Sequence, residues 1–156
     1  MAIHIVMVEP EIPPNTGNVA RSCAATGSVL HLVEPLGFSL ADKQLKRAGL
    51  DYWPYVNLVT HESLSSFLEM YRGRTMYLAT TKGKRFYTDV RFQDEDMILF
   101  GRETAGLPRW FIEENAAFSI RIPMAQEPEL RSLNLSNAVS IVLFEALRQQ
   151  GFSGLV

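Results

Sequence analysis

Short apolar and β-branched runs at residues 3–8, 29–33, 56–59, 76–79, 97–100 and 118–122 alternate with stretches of helical periodicity, and no other feature constrains the fold so strongly. Strands separated by helices cannot pair as hairpins. The crossover returns the chain to the same end of the sheet, so the strands run parallel with helices on both faces. The expected fold class is α/β, a single domain with a mostly parallel sheet of six strands flanked by helices. No repeat, low-complexity linker or break in composition divides residues 1–156, and a chain of this length buries a core without disulfides or metals.

Helix signals fall between the strands. The pattern over 15–26 ends at Gly27, and Ser39 with Asp42 resembles a capping pair for a helix closing at Gly49. Further helices are predicted over 63–71, from Pro108 in a first turn, and over 134–150, stopping at Gly151. The last carries apolar residues around most of its circumference, among them Val139, Val142, Leu143 and Phe144. A surface helix of a monomer shows a polar half. The alternatives are burial inside the domain or partly against a second copy, and a homodimer is the expectation.

Composition narrows the functions. No apolar run approaches the ~18 residues of a membrane span. The start of the chain passes directly into a strand-like run with no basic leader, so no signal peptide and a cytoplasmic location are expected. A single cysteine, Cys23, and three scattered histidines offer neither a disulfide nor a ligand cluster, and metal-free chemistry is expected. The formal charge of −2 and pI of about 5.9 count against coating of nucleic acid through bulk charge. Any RNA binding must be local, at Lys43, Lys46 and Arg47 or at Lys82, Lys84, Arg85 and Arg91. The bland alternative for such runs is a solvated face.

Three stretches carry candidate chemistry. EPEIPPNTGNVAR follows the first strand and opens the first helix, at the sheet end where α/β domains bind ligands. On that helix Arg21 shares a face with Gly17 and Asn18, a place for a phosphate or ribose. The competing reading has Asn15 capping the helix while Arg21 lies along the surface. FGRETAGLP breaks a buried strand into a loop with Gly101 and Gly106, where backbone amides could approach a ligand closely. Its spacing matches neither the dinucleotide fingerprint nor a phosphate loop. Glu103 within that loop calls for a hydrogen-bonding partner, either a ligand or the loop itself. In RSLNLSN, Ser132, Asn134 and Ser136 stand at the start of the last helix, as caps or as ligand contacts.

With EPLGF, KRAGLDY, TTKG and IRIPM added, these motifs together resemble the SPOUT RNA methyltransferases over nearly the whole chain, most closely the small tRNA wobble-nucleotide 2′-O-methyltransferases. The resemblance implies a C-terminal trefoil knot, S-adenosylmethionine as methyl donor and S-adenosylhomocysteine as product. It also implies a homodimer with a composite active site and the tRNA anticodon stem-loop as partner. Carried over by motif, the cofactor pocket falls on Ala79, Gly101, Ile122 and Ser132, and the catalytic roles on Arg21 and Asn134. RNA contacts fall on Asn15, Lys46, Arg47 and Arg131. Whether Arg21 acts as a base or as a cation beside a forming alkoxide stays open. The alternatives are methylation at another tRNA or rRNA site and a non-catalytic RNA-binding module; a nucleotide-dependent oxidoreductase is disfavoured because GxGxxG is absent. Three departures bear on substrate choice: an interval at 125–130 that looks longer and carries Glu127 and Glu129, Phe144 where tyrosine is common, and an unusually basic Lys82-Gly83-Lys84-Arg85.

Overall fold

Every predicted strand forms, and all pair in parallel. The computed structural model describes residues 2–49 and 52–156. The strands are β1 (His4–Val8), β2 (Val29–Val33), β3 (Asn57–His61), β4 (Met76–Ala79), β5 (Arg85–Phe86), β6 (Met97–Phe100) and β7 (Ser119–Arg121). They make one seven-stranded sheet in the order β3-β2-β1-β6-β4-β7-β5. The helices are α1 (Pro13–Thr26), α2 (Lys43–Gly49), α3 (Leu64–Met70), α4 (Arg109–Glu114) and α5 (Leu135–Gln149).

The central strands β1 and β6 are buried at every position because both faces are covered. Ile3, Ile5 and Met7 pack with Val19, Ala20 and Cys23 of α1 and Val139, Val142 and Leu143 of α5. The alternate positions Val6 and Val8 pack on the other face with Phe67 of α3 and Phe111 of α4. The apolar circumference of α5 therefore divides. Val142 and Leu143 are 1% and 0% exposed inside the domain, while Ile141 and Phe144 stay 36% and 45% exposed.

Several boundaries differ from expectation. β5 is a seventh strand of only two exposed residues, too short to leave an alternating pattern. Phe118 belongs to a 3₁₀ turn, Ala116–Phe118, and Ile122 lies beyond β7. The second helix begins at Lys43 rather than near Ser39: Asp42 Oδ1 accepts from the backbone N–H groups of Gln44 and Leu45 at 2.7 and 3.4 Å. Ser39 Oγ accepts from Ala41 N at 3.1 Å, an isolated turn. Pro108 occupies the N-cap position before α4 rather than the first turn. Gly27 and Gly151 end α1 and α5 with φ of 69° and 70°.

The scattered histidines meet. They lie on neighbouring strands, on the face covered by α3, and form one chain of hydrogen bonds: His4 Nδ1 to His31 Nε2 at 2.8 Å and His31 Nδ1 to His61 Nε2 at 3.0 Å. His4 Nε2 reaches Glu95 Oε1 at 3.3 Å. The carboxylate needs a donor, which His4 Nε2 supplies, and one donor direction along the chain, each ring giving its Nε2–H toward Glu95, satisfies every contact. Phe67 and Tyr71 of the α3 region pack edge-on against His31 and His61. Burial, reinforced by His4, His61 and Arg74, pushes His31 down to about 3, and burial lowers His61 as well. Among the described residues no group of three or more His, Cys, Asp or Glu is arranged to hold a metal ion.

Candidate active site and cofactor cavity

Strand order reverses beside β1, whose neighbours are β2 and β6. Met7 pairs with Phe100 at the ends of β1 and β6, so the loops that follow emerge side by side. Such a switch point is where α/β sheets open a ligand crevice.

These two loops hold each other. The N-cap of α1 is Ile12, which offers no side-chain acceptor, and Pro13 and Pro14 carry no N–H, so the N–H groups left at the helix entrance are those of Glu11 and Ile12, and they are met from across the crevice. Glu103 accepts from Glu11 N at 2.9 Å, Ile12 N at 2.8 Å and Asn15 Nδ2 at 3.1 Å. A carboxylate is favoured there by the helix dipole. In return Glu11 accepts from Thr104 Oγ1 at 2.8 Å and Thr104 N at 3.0 Å, and these bonds, the side-chain one first, hold its carboxyl below the usual range. The partner that Glu103 requires is the neighbouring loop.

Asn15 extends the chain. It is buried inside the first turn of α1 rather than capping it, and its Oδ1 accepts from Asn134 Nδ2 at 3.0 Å. Asn134 is the N-cap of α5, its Oδ1 taking Ser136 N at 3.0 Å, Ser136 Oγ at 2.6 Å and Asn137 N at 3.4 Å. Its second amide hydrogen has no partner among the described residues and borders the cavity. One polar network thus joins all three motif stretches.

Beside this network lies a cavity of about 870 Å³ that brings together Ala79, Gly101, Ile122, Ser132, Asn15 and Asn134. Its volume falls in the range of small-molecule sites. Ile120, Ile122, Ala138 and Val142 give an apolar wall for a flat base, while Thr80, Ser132 and Asn134 add polar groups. Those residues fit a nucleoside-bearing sulfonium.

Gly101 lines the cavity and also packs against its own loop. A Cβ there would lie 2.0 Å from Gly106 C and 2.1 Å from Leu107 N. The loop closes on itself, with Gly106 at φ 70° and its N–H donating to Arg102 O at 2.8 Å. Any side chain at position 101 would open that closure before it reached the cavity.

Arg21 does not line this cavity. It is exposed on α1, its guanidinium carbon 4.5 Å from the Tyr52 ring centroid, a cation–π contact. Arg47 and Arg131 are exposed and also outside the lining; Arg131 Nη2 donates to Gln126 O at 3.4 Å. The side chain of Lys46 lies outside the described residues. Sequence reasoning missed Arg109 in the lining, and it held Lys82 only within the TTKG motif and a basic run.

A parallel α/β sheet carrying a nucleotide-sized cavity at its switch point, closed by an asparagine-bearing network, defines an enzyme domain of the cofactor-binding class. The family model described as the SpoU rRNA Methylase family matches residues 2–144, and the chain belongs to that family. A relative from Methylovorus glucosotrophus named tRNA (cytidine(34)-2′-O)-methyltransferase is 50% identical over 153 residues, 97% of this chain and 98% of the relative. A solved structure concerned with 2-OH methylation of C/U34 on tRNA superposes with a TM-score of 0.88 at 46% identity, covering 96% of this chain and 97% of that one. The SpoU methyltransferase AviRb from Streptomyces viridochromogenes, in complex with AdoMet, shares the fold with a TM-score of 0.84 at 24% identity over 96% of this chain and 58% of that one.

Proposed function

We propose that the protein is an S-adenosylmethionine-dependent tRNA 2′-O-methyltransferase acting on the ribose of the wobble nucleotide, cytidine 34. The observation that carries this reading is the network from Glu103 through Asn15 to Asn134 at the mouth of a cofactor-sized cavity. Full-length similarity to enzymes of that name supports the choice of nucleotide.

When bound, S-adenosylmethionine supplies an electrophilic methyl group. The backbone loops at Ala79, Gly101 and Ile122, with Ser132, hold it, and the apolar wall keeps water from the reacting atoms. Asn134, fixed by its cap and by Asn15, offers its remaining N–H to orient the ribose. Fixing two reactants in line supplies much of the rate in such a transfer. As the ether forms and S-adenosylhomocysteine leaves, the 2′-hydroxyl proton passes to a neighbouring phosphate oxygen of the RNA, and a guanidinium beside the ribose oxygen would stabilise the developing charge.

Arg21 fills that role from a second protomer. Its exposure, its place outside its own subunit's cavity and the exposed Ile141 and Phe144 on α5 support a homodimer in which each arginine completes the other cavity. Arg47 and Arg131, exposed outside the cavity, contact the anticodon stem-loop, whereas Asn15, buried and bonded to Glu103 and Asn134, serves the network and not the RNA. The test is methyl transfer to a tRNA transcript and to one carrying a 2′-deoxy nucleotide at position 34. The first accepts methyl and the second does not; methylation of the second overturns the ribose assignment.

A further inference from the structure

β5 ends the sheet, and its outer edge has no partner strand among the described residues. An open edge invites pairing with other chains, and cationic residues commonly blunt it. The cations here exceed that need. Lys82, Lys84 and Arg85 are exposed in and beside β5, and Arg121 sits opposite Phe86 on β7. Among the described residues none of these four pairs with a carboxylate. In a chain of net charge −2, such a cluster makes a local positive field.

Its geometry is fixed. Gly83 packs on the backbone of β7, where a Cβ would lie 2.2 Å from Ile120 C, and Lys84 N donates to Ser119 Oγ at 3.0 Å. Arg121 Nη1 donates to Gly83 O at 2.8 Å, and its guanidinium carbon stands 4.8 Å from the Phe86 ring centroid. Arg85 Nη2 donates to Ala117 O at 2.9 Å, beside Phe118. Phe86 and Phe118 remain 37% and 44% exposed. Lys82, Tyr87 and Arg121 also line the cofactor cavity, so the edge runs into it without a break.

Unpaired cations interleaved with exposed aromatic rings match single-stranded nucleic acid: phosphates meet the charges and bases stack on the rings or on a guanidinium plane. Edge protection alone explains neither the exposed rings nor the two cations that turn toward the cavity. We propose that this edge, from Lys82 through Phe86 with Arg121 and Phe118, is the track for the loop strand of the substrate RNA flanking the target nucleotide. The assignment rests on the RNA-methylating activity proposed above.

The experiment measures binding of an unmodified tRNA transcript against salt concentration, with cofactor affinity followed by calorimetry. Lys84→Ala with Arg85→Ala removes two cations outside the cavity lining. It is expected to weaken binding on the order of tenfold and to lower the slope of log affinity against log salt by about 1.4, which is about 0.7 for each single-strand phosphate no longer neutralised. Cofactor affinity stays unchanged, showing that the fold is intact. Lys84→Ala alone, which breaks no side-chain hydrogen bond, lowers the slope by about 0.7. Phe86→Leu weakens binding about fivefold or more with the slope unchanged, and Phe86→Trp restores it, since stacking carries no charge. If wild type methylates the transcript while the single and double variants keep its slope and KM, the track is wrong and the cations only guard the edge. If wild type neither binds nor methylates the transcript, the activity falls and takes the track with it.

Discussion

Acid should unfold this protein earlier than its carboxylates alone would dictate, through the buried histidine chain. His31 is 1% exposed, bonded on both sides by imidazole nitrogens and faced by His4, His61, Arg74 and Tyr71. Its ring is held neutral down to about 3, against 6.5 in the unfolded chain. Below pH 6.5 the unfolded state therefore binds the proton that the folded state refuses, and stability falls as pH falls through that window. Between pH 7 and pH 5 the linkage amounts to about 2 kcal/mol for His31 alone. His61, also lowered, adds in the same direction. The lowered carboxyls of Glu11, Glu95 and Glu145 share the sign but act mainly below their ordinary 4.5. Asp96, raised by burial, opposes them. Urea unfolding at fixed protein concentration should show the loss directly, and calorimetry should show Tm lowered by about 4–8 °C. His31→Gln, whatever its overall cost, should flatten the dependence to what His61 leaves. Equal stability at pH 7 and pH 5 within about 0.5 kcal/mol would refute the reasoning, since two buried neutral rings cannot titrate without a trace.

Arg21→Ala should abolish methyl transfer while leaving cofactor affinity near wild type by calorimetry; partial activity in Arg21→Lys marks charge stabilisation, and complete loss marks geometry or a base role. Gly101→Val should lose cofactor binding together with several degrees of Tm, because its Cβ strikes the Gly106 backbone and not open cavity. Phe144→Asp should yield a folded monomer by sedimentation, whereas Val142→Asp should unfold the subunit, its site being 1% exposed. Glu103→Ala strips the acceptor from two backbone N–H groups and Asn15, and should lower stability by about 2–3 kcal/mol in urea melts.

The architecture is legible in the sequence because each main strand is long enough to show its apolar run and each long helix has its own stop, as at Gly27 and Gly151. Residues carried over by motif to the cavity, Ala79, Gly101, Ile122 and Ser132, do meet there. What escapes is whatever depends on distance in the chain. The Glu103 cap of α1 spans 92 residues and leaves no local signature. The histidines look scattered because their adjacency comes from strand register alone. β5 is too brief for periodicity and exists because Gly83 lets its turn lie on β7. A glycine at position 101 suggests room for a ligand, and the sequence leaves no sign that the same position also packs against its own loop.

The clasp between Glu11 and Thr104, 93 residues apart, also sets a timetable. While the chain is being made at ~5–20 residues per second, β1 waits about 5–20 s for β6, with one flank unpaired and Glu11 without its partner. No hairpin shortens that wait, since every strand pairing in the sheet is parallel. The nascent N-terminal half is thus a βαβ unit with an apolar border still uncovered, and the cofactor cavity is among the last parts of the molecule to exist.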